Sequence, residues 1–149
     1  MPPKSLRARA LDILSRREIS RAELKRKLAP YAESEAEVEK VLNEFAERNW
    51  QSDQRFTEAF VHCKSRKYGS RKLKQALLDK GIDADTAQTF MPSETEELEA
   101  AQNVLLKKFK HPPTDLAEKH KYMRFLAYRG FDMDTINRAI KSAWNNEYK

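Results

Sequence analysis

The segment LLDKGIDADTA (residues 77–87) recurs as LAYRGFDMDTI (residues 126–136), forty-nine positions further along the chain. Lys80-Gly81-Ile82-Asp83 falls on Arg129-Gly130-Phe131-Asp132, and Asp85-Thr86 falls on Asp134-Thr135. The pattern has a local meaning. A helix commonly ends on a glycine in the left-handed conformation, followed by an apolar residue, and an aspartate can then cap the next helix. The same interval extends outward. Leu24, Leu73 and Tyr122 keep it, as do Leu28, Leu77 and Leu126, the cap candidates Ser34, Asp83 and Asp132, and the core candidates Val38, Ala87 and Ile136. An internal repeat of this length marks tandem supersecondary units. The reading is therefore an all-α fold of three tandem three-helix repeats, near 5–50, 53–91 and 94–146, stacked as an elongated array because units this small bury little apolar surface alone.

Individual helix signals agree. ISRAEL (19–24) and SEAEVEKVLNEF (34–45) each place a serine three residues before a glutamate, the capping-box spacing, and Ser93 with Glu96 repeats it. Val38, Val41, Leu42 and Phe45 then follow at helical spacing. Phe56, Ala59, Phe60 and Cys63 suggest a second apolar face, and Ile136, Ala139, Ile140 and Ala143 a third. Nine helices are expected, near 5–17, 20–29, 34–49, 53–67, 70–80, 83–91, 94–110, 114–129 and 132–146. Gly69 reads as the end of the fourth and Ser70 as the cap of the fifth.

Composition limits the function classes. Three glycines and six prolines leave little turn material for an all-β fold. A single cysteine precludes an intramolecular disulfide and suits a reducing compartment. There is no run of eighteen apolar residues and no apolar core behind the basic N-terminus, so a cytoplasmic protein without membrane contact is expected. Net charge by segment runs +6 (1–30), −5 (31–63), +6 (64–82), −6 (83–100) and +5 (101–149), giving the overall +6. Such banding puts positive potential on particular elements, where a polyanion can lie.

Catalytic material is sparse. Cys63 falls on an apolar stripe and reads as core, and His62 beside it lacks the further ligands of a zinc site. His120 lies between Lys119 and Lys121, where solvent or a polyanion is the natural neighbour. Phosphate-loop, dinucleotide and nucleophile-elbow motifs are absent. No enzyme activity, metal or cofactor is expected. Acid pairs such as Glu96-Glu97 read as charges that complement a helix N-terminus. Trp50 reads as a pin between two bundles, and Tyr68, Trp144 and Tyr148 as positions where a base could stack.

The basic residues recur with the repeat. Arg17, Arg21, Lys25 and Arg26 surround the start of the second helix. Lys64, Arg66, Lys67, Arg71, Lys72 and Lys74 occupy the matching place in the second repeat, and Lys121, Arg124 and Arg129 lie on the second helix of the third. These are the candidate contacts to nucleic acid or nucleoprotein, made mostly to phosphate and so independent of sequence.

With these residues in hand, the chain resembles a known family. WQSDQRFTEAFVHCKSRKYGSRKLKQALLDKGI (50–82) is similar to the central signature of RecX, the bacterial regulator of the RecA recombinase. Asp53, Phe56, Phe60-Val61, the basic stretch to Lys67, Gly69, Leu73, Leu77 and Lys80-Gly81-Ile82 carry that likeness. YRGFDMDTI (128–136) and SRAELKRKL (20–28) resemble its C-terminal and N-terminal elements. Asn49-Trp50 stands where the family usually has glycine, and Ser52 where a second acid is common; asparagine tolerates the left-handed conformation. The resemblance implies three three-helix repeats and a non-enzymatic protein that lies along the groove of the RecA–DNA filament. It further implies restraint of ATP hydrolysis and strand exchange, filament disassembly, and weak, non-specific contact with single- or double-stranded DNA by a monomer. The rival reading is a sequence-specific regulator of the helix-turn-helix kind, which the Arg-poor third helices disfavour.

Overall fold

The computed structural model describes residues 4–145. Among them are nine α-helices and no strand. They are α1 (Leu6–Arg16), α2 (Arg21–Leu28), α3 (Glu35–Glu47), α4 (Asp53–Lys64), α5 (Ser70–Asp79), α6 (Ala84–Thr89), α7 (Glu94–Lys108), α8 (Leu116–Tyr128) and α9 (Met133–Ser142). Every helix expected from the pattern is present, most of them shorter than expected by a few residues. A short 3₁₀ turn carries Pro30 directly after α2.

Three helices end in the same way. Asn49, Gly81 and Gly130 have φ of 61°, 85° and 95°. The residue after each donates its N–H back five residues, Trp50 to Phe45, Ile82 to Leu77 and Phe131 to Leu126. Each of these three also donates its own N–H three residues back. This is the Schellman ending, with asparagine taking the place of glycine in the first trio of helices. Asp83 and Asp132 then accept the N–H of Thr86 and Thr135, capping α6 and α9 as their spacing predicts.

The caps depart from expectation in detail. Only α7 closes a reciprocal capping box, between Ser93 and Glu96. Ser20 accepts the Glu23 N–H, but the Glu23 carboxylate faces the Lys80 ammonium at 3.4 Å. Glu37 takes the N–H of Glu33, one residue before the expected Ser34. Helix α4 buries Phe56, Thr57 and Val61, which lie on one side of its wheel. That rotation leaves Ala59 and Cys63 exposed, so Cys63 is not a core residue.

The chain divides into two compact units, Met1–Phe60 with Leu77–Ala87 and Val61–Ala76 with Gln88–Lys149. The first holds a core of Leu6, Ala10, Ile19, Leu24, Leu28, Val38, Val41, Leu42 and Phe45. The second is centred on α7, α8 and α9, with Leu105, Leu126, Phe131 and Ile136 fully buried. Phe109 stacks on Tyr122 at 3.9 Å, and Trp144 packs 5.9 Å from Tyr122, so Trp144 joins this core instead of offering a stacking face. Tyr148 lies outside the described residues. Trp50 sits edge-on to Phe45 at 5.2 Å beneath Arg7 and Arg48. The left-handed turn at Asn49 folds it back over its own trio, so within the first unit it covers that core.

One joint occurs in each unit. In the first, the N-terminus of α2 receives a carboxylate from the start of α4, with the Arg21 N–H donating to Asp53 at 2.8 Å. The Ser20 hydroxyl donates to the Lys80 carbonyl at 2.7 Å, and Gly81 lies so close to Ala22 that a Cβ on it would overlap the alanine methyl. In the second, the N-terminus of α5 receives Glu97 from α7, which accepts both the Ser70 N–H (2.6 Å) and its hydroxyl (2.7 Å). The Gly69 N–H donates to Arg129, the Arg71 N–H donates to Gly130, and Gly130 abuts Lys72. Two sequence expectations change here. Ser70 does not cap α5 but opens it, and Gly69 serves by close approach, since a Cβ there would overlap the Gly130 carbonyl. Glu97 is buried and bonded across to α5, so it is more than a macrodipole charge.

Gly81→Ala should cost about 1–3 kcal/mol from the forced left-handed backbone. Adding Ala22→Gly, which removes the overlapped methyl, should make the pair less destabilising than the sum of the single changes in urea denaturation. Gly130→Ala should gain no comparable relief, because its neighbours include the Lys72 backbone.

Backbone amides and hydroxyls at helix starts also hold carboxylates below their ordinary range. The Thr86 N–H does so for Asp83, the Ser93 N–H for Glu96, and the Thr114 hydroxyl and N–H for Glu118. Folding should therefore keep this stabilisation above the ordinary values of 3.8 for Asp and 4.5 for Glu, and lose it as pH falls below them through the depressed folded values. Melting temperature against pH measures this loss, and Glu118→Gln should flatten the acid limb.

Candidate nucleic-acid interface

Charge is divided unevenly between the two units. The first carries 13 Lys/Arg against 14 Asp/Glu, a net −1, and the second 16 against 9, a net +7. Pairing is more uneven still. Among the described residues the first unit holds the ion pairs of Lys4, Arg7, Arg21, Lys25, Arg48, Arg55 and Lys80. The second holds one, Arg138 with Asp134 within a helix.

Five acids of the second unit are engaged at helix starts. Glu96 accepts the Ser93 N–H, Glu97 the Ser70 N–H, Asp115 the Glu118 N–H, Glu118 the Thr114 N–H and Asp132 the Thr135 N–H. Carboxylates that satisfy helix N-termini do not reach the Lys and Arg side chains of the same unit. The excess cations stay available to an outside anion.

The candidate contacts fall into groups. Arg21 and Lys25 both meet Glu39, at 3.0 Å each, and Arg21 also meets Asn43. The Lys25 ammonium holds the Glu39 carboxyl below the usual carboxylate range, with Arg21 adding to it. These two cations are committed within the first unit, whereas Arg17 and Arg26 are exposed and unpaired. Lys64, Arg66, Lys67, Arg71 and Lys72 are exposed on the second unit, and Lys74 is half-buried. Lys121 is exposed on α8, 5.8 Å from the Phe109 ring centroid. Arg124 lines a separate small hollow with His120, Met123, Ala127 and Met133.

Arg66, Lys67 and Arg129 come together in a cleft of about 380 Å³ that no carboxylate lines. Its remaining walls include Lys107, Lys108, Tyr68 and Phe125. Arg129 is held in place. Its guanidinium donates to the Lys67 carbonyl at 3.2 Å and lies 5.2 Å from the Phe125 ring and 5.6 Å from the Tyr68 ring. Beyond Tyr68, the Lys72 ammonium sits 5.2 Å from that ring and 4.5 Å from the Tyr128 ring, which is 77% exposed. The wall contributed by Lys107 and Lys108 is absent from the residues chosen by repeat register. The signal was present as KKFK (107–110), a basic run outside the forty-nine-residue register of the other bands.

Fold and charge thus define a tandem three-helix-repeat protein whose excess of cations lies in its second unit. Family models for RecX match it directly: that of the second three-helix domain covers residues 52–91, and that of the third covers 94–140. The Regulatory protein RecX of Neisseria meningitidis serogroup C is 62% identical over 148 residues, spanning 99% of this chain and 97% of that protein. The Regulatory protein RecX of Chromobacterium violaceum is 43% identical over 145 residues, spanning 97% and 95%. The chain belongs to the RecX family. The crystal structure of RecX from Lactobacillus salivarius shares the fold, with a TM-score of 0.82 at 21% identity over 93% of this chain and 94% of that one.

Because Glu39 neutralises two cations, Glu39→Gln should free them and delay elution from a heparin column. The delay should exceed that of Glu47→Gln, which removes an equal charge from an exposed position of the same helix.

Proposed function

We propose that this chain is a non-enzymatic modulator of the RecA recombinase, a cytoplasmic monomer that lies along the groove of the RecA–DNA filament. It restrains ATP hydrolysis and strand exchange and promotes filament disassembly. The repeats at 5–50, 53–91 and 94–146 bridge successive RecA subunits, and the basic bands meet filament DNA or acidic RecA surface.

The observation that carries this reading is the separation of charge within a RecX-family fold. A net +7 unit, with five of its acids bonded at helix starts, presents Lys64, Arg66, Lys67, Arg71, Lys72, Lys74, Lys121, Arg124 and Arg129. A nucleoprotein filament is a polyanion, and such a face suits contacts that ignore sequence. Arg17, Arg21, Lys25 and Arg26 belong to the proposed contact surface in a lesser role, since two of them already have an acidic partner. The helix-turn-helix alternative gains nothing from the structure. Helix α6, the recognition position of the second repeat, is six residues long and has no basic residue.

Titration into RecA on single-stranded DNA with ATP tests the reading. ATP turnover and filament length should both fall as the protein approaches saturation, and no change in either sinks it. Charge reversal at Lys67, Arg71, Lys72 and Lys74 should weaken filament binding by at least tenfold at low salt, with the difference shrinking as salt rises.

A further inference from the structure

We infer that the cleft of the second unit, together with the exposed ring of Tyr128, is a binding site for a short run of single-stranded nucleic acid. The inference rests on the proposed contact with filament DNA and names the place and the strand state.

The cleft has the chemistry of a phosphate track. Arg66 and Lys67 enter from the segment between α4 and α5, Lys107 and Lys108 from the last turn of α7, and Arg129 from the end of α8. Lys107 and Lys108 also complement the negative end of the α7 dipole, but that role needs far less than five cations around one hollow. Arg66, Lys67, Lys107 and Lys108 have no carboxylate within ion-pair distance among the described residues, and Arg129 is aimed by the Lys67 carbonyl and two rings. The segment bearing Arg66 and Lys67 is anchored by the Gly69–Arg129 backbone bond, so both are carried on a fixed support.

The neighbouring surfaces give the track a direction. On one side a wider groove shares Arg66, Asn103 and Lys107 but carries Glu96 and Glu99, which repel phosphate. On the other side Tyr68, Lys72 and Tyr128 follow in sequence, an ammonium between two aromatic rings. An anionic chain leaving the cleft is steered across these rings. Cations that track a backbone beside aromatic faces are the shared device of single-strand binding, because an unpaired base can stack on a ring and a paired one cannot.

Fluorescence polarisation without RecA tests the site. The probes are a labelled oligothymidylate and a labelled hairpin duplex of equal phosphate number, with ATP as competitor. The single strand should bind more tightly than the duplex, and ATP should compete only weakly. The Lys107→Ala/Lys108→Ala variant should lose roughly tenfold at low salt, with the slope of log affinity against log salt falling by about 1.4, or about 0.7 per lost phosphate contact. Tyr128→Ala should weaken single-strand binding by about tenfold through lost stacking, keep the salt slope, and remove the preference over duplex. Tyr128→Phe should restore both. Lys40→Ala, at an exposed position of α3, should match the wild type.

Equal affinity and slope for the double lysine variant would overturn the cleft. Equal binding of duplex and single strand by the wild type would overturn the strand state, and ATP competing as well as the oligonucleotide would point to a free-nucleotide site instead. Circular dichroism and a urea melt of each variant separate lost contacts from lost fold. None of these readouts involves RecA, so failure here leaves the RecA titration to stand or fall separately.

Discussion

The first turn of an α-helix has N–H groups that the helix itself cannot satisfy. In this protein those groups on α2 and α5 organise what surrounds them. Each takes a carboxylate from a later first helix, Asp53 or Glu97, and each is pressed by a later glycine turn, Gly81 or Gly130. The contact is polar, charge-assisted and sterically narrow, so it fixes a register where a smooth apolar face would slide. It also explains why the two compact units cut through the second trio. The N-terminal residues of α5 belong with the turn that clasps them, and the turn after α5 belongs with the N-terminus that it clasps.

Much of this was legible in the residues. The interval between Gly81 and Gly130 encodes both the helix ends and the caps that follow, because a left-handed residue and an Asx cap are local demands that neighbours rarely override. Local demands also explain the correct placement of all nine helices. Errors arose where the answer depends on a distant partner. Cys63 shares an apolar spacing with Phe56 and Phe60, but the buried side of α4 is chosen by what packs on it, and that side includes Thr57, whose hydroxyl bonds to the Asp53 carbonyl. Gly69 resembles a helix stop in sequence and proves to be a point of backbone approach. The second role of Glu97 has no local signature at all.

The candidate interface rests on charge along the chain, and folding adds which of those cations meet an acid. Register in the repeat treated the three basic bands as equivalent, because sequence reports where charges lie along the chain and not which are neutralised across it. Folding brings the acidic α3 against the first band and leaves the second and third bands unmatched. Whether a cation is available thus depends on what occupies its neighbouring carboxylates. Several of those in the second unit are bonded at helix starts, and its cations outnumber its acids, which leaves it strongly positive.

The start of α8 departs from the pattern of α2 and α5. Lys119 stands forty-nine residues after Ser70, itself forty-nine after Arg21, so its N–H is the register equivalent of the two amides that receive carboxylates. Helix α8 begins earlier, however, and the Lys119 N–H is bonded to the Asp115 carbonyl inside its first turn, behind the Asp115 and Glu118 caps. The amide that receives an acid from a later helix in α2 and α5 is thus spent within α8 itself, so the second helix of the third trio starts on acids of its own segment.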